Sequence, residues 1–196
     1  IPRIEQHLLE PSLGLAREAA ILREVHSLSP GGIPGVPRVI FFREGDRQAA
    51  LGESVLSGQP LFTRLRPSNF RRWALAGTEW LTCLAVPGRS RPRAEWWPQL
   101  VEPVLADFQS SFGSIVQPQN LADTRAALST LADLPVVVEQ RDFSPWNVLA
   151  RDDGTLAVLD WESAEANGLP ALDLIYFVHY LAFFLDGAMK SGHYRA

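Results

Sequence analysis

Apolar residues recur along this chain in blocks whose spacing changes several times. From Leu15 to Leu28 they fall at helical intervals: Ala16, Ala19, Ala20, Leu22 and Val25 alternate with Arg17, Glu18 and Arg23, which predicts an amphipathic helix. Gly31-Gly32-Ile33-Pro34-Gly35 follows and reads as a connector. Residues 38–42 and 49–56 predict two strands around a Glu44-Gly45-Asp46 turn. Aromatic and aliphatic stripes then predict three helices, at 69–86, 95–112 and 121–131, with the proline-rich stretch Pro87–Pro92 breaking the first two apart. Trp73, Trp80, Trp96 and Trp97 fall on these helices, and packing is their default role.

After residue 135 the period shortens. Val136-Val137-Val138 is a β-branched run expected of a buried strand. Pro145 ends that run, because it lacks an N–H and holds Ser144 extended. Trp146 to Leu149 predicts a second strand and Thr155 to Leu159 a third, joined by the turn signal Asp153-Gly154. Leu174 to Leu185 is apolar over twelve residues, with Tyr176, His179 and Tyr180 inside it. A bilayer crossing needs about 20, so this reads as a buried helix, with His179 a core histidine.

Composition adds bounds. The 196 residues are 46% hydrophobic and 20% charged, as in an ordinary globular domain. A net charge of −4 without a basic stripe argues against nucleic acid as a partner. Cys83 is the only cysteine, so an internal disulfide framework is excluded; it is expected as a small apolar filler in a helix. His7, His26, His179 and His193 lack a metal-binding spacing. Nothing at the start resembles a signal peptide, and the expected compartment is cytoplasmic, with no membrane partner.

The chemistry concentrates in residues 139–162. Asp142 and Asn147 are five residues apart, and the predicted hairpin returns Asp160 toward them. A phosphotransferase uses this set in three roles. One Asp accepts the proton of the attacking hydroxyl, Asn offers an amide oxygen to Mg²⁺, and the second Asp bridges Mg²⁺ to the phosphates.

Asp142-Phe143-Ser144-Pro145-Trp146-Asn147 resembles the catalytic loop of the aminoglycoside phosphotransferase and choline-kinase-like superfamily. Leu159-Asp160-Trp161-Glu162, Gly168-Leu169-Pro170-Ala171 and Asp173-Leu174 resemble its metal-binding strand and the helix start that follows. The resemblance implies an α+β, protein-kinase-like fold: residues 1–56 a partial N-lobe of helix and two strands with the hinge, and 57–196 a mostly helical C-lobe with the catalytic hairpin. It implies transfer of the γ-phosphoryl group of ATP or GTP to a hydroxyl of an amino sugar, amino alcohol or similar small acceptor. Asp142 would be catalytic, and Asn147 and Asp160 would hold Mg²⁺.

The resemblance extends more thinly to the N-terminal part. Glu53 to Gly58 resembles the hinge where backbone meets adenine, which places Glu53 and Val55 at the nucleotide. Glu18 matches the helix acid that pairs with a phosphate-holding lysine, although it reads equally well as a solvated acid beside Arg17 and Arg23. Glu162 is a candidate for a second metal or its water. Asp173 is a helix-start acid or an anchor for the catalytic loop; both roles are structural.

Two departures stand out. Gln140 replaces the histidine usual two residues before the catalytic Asp, and its amide has the donor and acceptor to take over that scaffold role. Arg141 beside it is expected to pair with Glu139 or another surface acid. Of the 18 Lys and Arg residues only Lys190 is lysine, too late in the chain for the phosphate-binding position. The expectation is a chain that begins inside its domain and stops short of the family's last helices. The alternative is a non-catalytic kinase-like binding module. A helical scaffold whose Asp and Asn serve only turns is the third reading.

Overall fold

The computed structural model describes residues 2–29, 31–45 and 48–187, with side chains from Leu13 onward. Asp46 of the expected turn, Lys190, His193 and the side chain of His7 lie outside the described residues. The chain forms two compact units, Ile1–Val86 with Val137–Ala196, and Pro87–Val136. The lobe boundary expected between 56 and 57 falls inside the first unit.

In the first unit, α1 (Pro2–Leu28) starts well before the predicted Leu15. It packs on an antiparallel pair, β1 (Val39–Glu44) and β2 (Ala49–Glu53), in which Val39 faces Glu53 and Glu44 faces Ala49. Ala19, Leu22 and Val25 of α1 are fully buried, as the helical spacing predicts. β3 (Gln59–Pro60) and α2 (Leu61–Arg64) lead through a 3₁₀ turn at Pro67–Asn69 to α3 (Phe70–Thr82). Cys83 lies just past the end of α3 and is exposed, not an apolar filler, because the helix stops before it.

The second unit begins within β4 (Ala85–Arg91). A strand here was not expected from a segment with Pro87 and Pro92 at either end. The predicted helix at 95–112 is three pieces: α4 (Arg93–Trp96), a π-helical turn (Trp97–Val101) and α5 (Glu102–Phe112). Pro98 and Pro103 have no N–H to give an i→i−4 bond, so the ladder loosens there. α6 (Pro118–Ser129) follows, and Arg125 pairs with Glu102 of α5 at 3.0 Å. Trp96 is buried and donates its indole N–H to the Ala132 carbonyl at 3.1 Å.

β5 (Leu134–Glu139) brings the chain back into the first unit, where Val137 faces Gly168 and Glu139 faces Glu165 of β8 (Glu165–Gly168). Between them β6 (Val148–Ala150) and β7 (Leu156–Val158) form the expected hairpin, with Val148 opposite Val158 and Ala150 opposite Leu156. β3 pairs on the free side of β6. Trp146 and Asn147 are not in the strand. The N–H groups of Asn147 and Val148 both bond the Ser144 carbonyl, closing a turn that Pro145 initiates. Gly35, at φ +80°, belongs to the predicted connector. Its carbonyl accepts from Val158 N, and a Cβ there would strike the β7 backbone.

α7 (Leu172–Leu185) packs against α3. Gly77 permits this approach, since a Cβ would overlap the Phe177 ring. An aromatic core fills the space beneath the loop that carries Asp142 and Asn147. Phe143 stacks on Trp80 at 5.3 Å and meets Phe177 tilted at 4.7 Å, and Trp80 meets Trp161 at 6.3 Å. His179 is exposed, with its ring against Phe183, not a core histidine. α7 is apolar on all sides, so periodicity gives no face to exclude it from. Among the described residues no helix is long and apolar enough to cross a membrane.

Candidate active site

Phe143 anchors the loop after β5 by burying its ring, which leaves its neighbour Asp142 at the rim, partly exposed. Ser144 N bonds the Asp142 carbonyl at 2.7 Å and makes the bend tight. The Asn147 side-chain amide donates to Asp142 twice, to the carbonyl at 3.1 Å and to carboxylate Oδ2 at 2.8 Å. Its Oδ1 is therefore the atom Asn147 has for a cation. The other Asp142 oxygen, Oδ1, accepts from the Tyr176 hydroxyl at 2.9 Å.

Gln140 is completely buried and ties the site together. Its Oε1 accepts from Asp142 N at 2.8 Å, and its Nε2 donates to the carbonyls of Leu159 at 3.1 Å and Asp160 at 2.5 Å. The amide thus does with one donor and one acceptor what the expected scaffold role requires. Leu159 N completes the link by donating to the Asn147 carbonyl at 2.9 Å.

Two buried acids hold the backbone around it. Asp173, at the start of α7, accepts from Gln140 N at 2.7 Å and Arg141 N at 2.8 Å, which is the anchoring role. Burial raises its pKa, and these two N–H groups oppose the rise. Glu139 accepts from Leu169 N at 2.7 Å and pairs with Arg141 Nε at 2.9 Å, as expected of that arginine. Arg141, Asp160 and Ala171 all have positive φ without being glycine (68°, 60° and 78°). Such backbone persists only where the surroundings over-determine it, and all three residues border this loop.

Acids from the first half of the chain face Asp160. Glu18 Oε1 accepts from Trp161 N at 2.8 Å, so α1 is docked on the strand end that carries Asp160; Glu18 is not a merely solvated acid. Desolvation raises the Glu18 pKa, the Trp161 N–H opposes this, and the Asp160 and Glu162 charges add to it. Glu53 is pushed up to about 7, by desolvation first and then by Glu18 and Asp160. Its Oε1 is buried and has no hydrogen-bond partner among the described residues. Asp160 itself is solvent-accessible but partly desolvated; that and the Asp142 charge raise its pKa. Glu162 is exposed and turns its carboxylate against α1 at Gly14.

This is a concentration of negative charge with one orphaned oxygen, and a cation would relieve it. Among the described residues no group of three His, Cys, Asp or Glu is placed to hold a metal alone. Mg²⁺ keeps waters and is usually bound by one or two protein oxygens plus phosphates. Asp160 and Asn147 Oδ1 are the fitting donors.

The structure thus brings Asp142, Asn147, Asp160, Glu18 and Glu53 into one region. Val55 is 97% exposed in the segment after β2, where Ser54 N bonds the Arg38 carbonyl. Sequence reasoning missed Tyr176. A signal was present, since Asp173 and Tyr176 are three residues apart on one helical face, and Asp173 reaches residues 140 and 141. Desolvation first, then hydrogen bonds with Tyr180 and Asp142, hold the Tyr176 pKa well above its usual range, so its hydroxyl remains a donor.

Among solved structures, the aminoglycoside phosphotransferase APH(3'')-Id from Streptomyces rimosus is similar at 19% identity and a TM-score of 0.51, over 93% of this chain and 77% of that one. An aminoglycoside-3'-phosphotransferase of type VIII is similar at 19% identity and a TM-score of 0.46, over 95% and 77%. The first likeness shows the fold, which is protein-kinase-like and α+β as expected. No curated protein matches the chain. The profile of one family, described as the phosphotransferase enzyme family, matches residues 3–193 and takes in every residue of the site. The chain belongs to the phosphotransferase enzyme family.

Proposed function

We propose that the chain transfers the γ-phosphoryl group of ATP or GTP to a hydroxyl of a small acceptor such as an amino sugar or amino alcohol. The observation that carries this reading is the orientation of Asp142: one carboxylate oxygen held by Asn147, the other by Tyr176, and the loop pinned to Asp160 through Gln140. A turn or scaffold has no use for a carboxylate fixed on both oxygens beside other carboxylates.

In the reaction, Asp142 accepts the proton of the acceptor hydroxyl as the acceptor oxygen bonds to the γ-phosphorus. The bond from that phosphorus to the bridging oxygen breaks, and the nucleoside diphosphate leaves with the electron pair. Mg²⁺, held by Asp160 and Asn147 Oδ1, would supply charge neutralisation at the phosphates. Gln140 and Asp173 keep the Asp142 backbone still, so that positioning is settled before substrate arrives.

A non-catalytic binding role is the second reading. It is supported by the lysine position: Lys190 is the only lysine in the chain, so Glu18 and Glu53 have none to pair with on α1, β1 or β2. The test is a radiolabelled phosphate-transfer assay with Mg²⁺ or Mn²⁺ across a panel of amino sugars and amino alcohols. Transfer that disappears in Asp142→Asn supports the enzyme. Nucleotide binding without transfer to any acceptor supports the binding module.

A further inference from the structure

Asp142 has two oxygens to fix, and only one of them is held by its own loop. Asn147 takes Oδ2, while Oδ1 is held from outside by Tyr176 of α7, at 2.9 Å. With the Asn147 bond alone, the carboxylate torsion is broad and two-fold. The phenolic hydroxyl uses one lone pair of Oδ1 and leaves the other for an incoming hydroxyl.

Tyr176 also begins a continuous run of rings. Its centroid is 4.5 Å from Tyr180, Tyr180 is 5.6 Å from Trp146, and Trp146 is 4.6 Å from Phe184, which reaches Phe62 of α2 at 5.9 Å. Trp146 and Phe62 are each 38% exposed, so the run opens to solvent. Trp146 belongs to the catalytic loop itself, between Asp142 and Asn147. An aromatic surface that starts at the carboxylate and ends in water is a wall for a molecule whose hydroxyl must reach Asp142.

We propose that Tyr176 is a positioning residue, which aims Asp142 Oδ1 at the acceptor hydroxyl and forms with Tyr180 and Trp146 the wall on which the acceptor lies. This rests on the phosphotransfer reading above. The hydroxyl and the ring have separate duties. The hydroxyl sets the carboxylate and acts on turnover. The ring, with Trp146, contacts the acceptor and acts on its binding.

The test separates them by kinetics. Tyr176→Phe keeps the ring contacts and should lower kcat by about 10- to 100-fold. The KM values for nucleotide and acceptor should stay near wild type. Trp146→Ala should raise the acceptor KM by about 10-fold with a smaller change in kcat, since stacking on one ring is worth roughly 1.5 kcal/mol. Wild-type kcat in Tyr176→Phe, or an unchanged acceptor KM in Trp146→Ala, would overturn the proposal. Should the wild-type chain transfer phosphate to no acceptor, the phosphotransfer reading fails instead, and crystal structures decide about Tyr176. An Asp142 carboxylate that rotates or splits into two conformers in Tyr176→Phe supports its positioning duty, and one that stays in place refutes it.

Discussion

Gln140 donates its side-chain amide to the Asp160 carbonyl, and through that one buried contact the loop bearing Asp142 and the strand end bearing Asp160 share a support. Neither functional side chain is touched by it. The amide acts on backbone, so it fixes where both carboxylates start from while leaving their oxygens for other partners.

Gln140→Ala should therefore cost stability as well as geometry. It strands the Asp142 N–H and the Leu159 and Asp160 carbonyls in a partly buried place, at about 2–3 kcal/mol in sum. Urea unfolding measures the loss. Gln140→His, with one donor and one acceptor, should recover part of it; a His variant no better than Ala would mean that volume, not hydrogen bonding, is what matters.

Asp142→Asn should reduce turnover by ~10²–10⁴-fold, the usual range for a general base. Nucleotide affinity should stay near wild type, because on the proposed reading the carboxylate serves the acceptor hydroxyl and not the nucleotide. Rapid-quench kinetics and equilibrium titration together check this, and an unchanged rate would remove Asp142 from the mechanism.

Metal affinity should rank the two proposed ligands. Asp160→Ala removes a charged oxygen from a hard cation and should abolish Mg²⁺-dependent nucleotide binding; Asn147→Ala removes a neutral one and should weaken it less. Calorimetric titration of Mg²⁺–nucleotide gives the order. Equal losses would count against the assignment.

Glu53 makes stability depend on pH in a defined direction. Its folded pKa, about 7, lies above the ordinary value of 4.5, so between these pH values the folded state holds a proton the unfolded chain has released. Stability is fully present below pH 4.5 and declines as pH rises through 7. Glu53→Gln should flatten that decline in a series of thermal unfolding curves, while an unaltered slope would show that Glu53 is not its source.

Gly77→Ala tests the contact of α3 with α7. Alanine gains up to about 1 kcal/mol in helix propensity, but its methyl must push against the Phe177 ring, at about 1–3 kcal/mol. Destabilisation should win, read as a lower melting temperature; a more stable variant would mean the two helices separate easily.

Much of the site could be read from the sequence because its logic is local. Asp153-Gly154 sets the hairpin, the hairpin sets the register, and the register returns Leu159 to Asn147 and Asp160 to the loop. Asp142 and Asn147 need only the turn between them. Contacts made by α7 were hidden, because Tyr176 lies in a helix apolar on every side, where no period marks one ring as special. Glu53 was read as hinge backbone, and the structure adds a buried carboxylate whose surroundings come from residues 18 and 160. The division of the 95–112 helix was written in Pro98 and Pro103, but the aromatic stripe running through them argued the other way. β4 escaped for the same reason in reverse, since prolines argue against strands.

The clamp on the Asp142 loop comes late in the chain. Asp173 and Tyr176 follow Asp142 and Asp160, so a ribosome delivers the loop before the residues that restrain it. A nascent chain halted before α7 carries every acid of the proposed site with the Asp142 carboxylate still free to turn. On the phosphotransfer reading, competence would arrive only with the docking of α7, and a copy clipped ahead of Leu172 would be inert rather than unregulated.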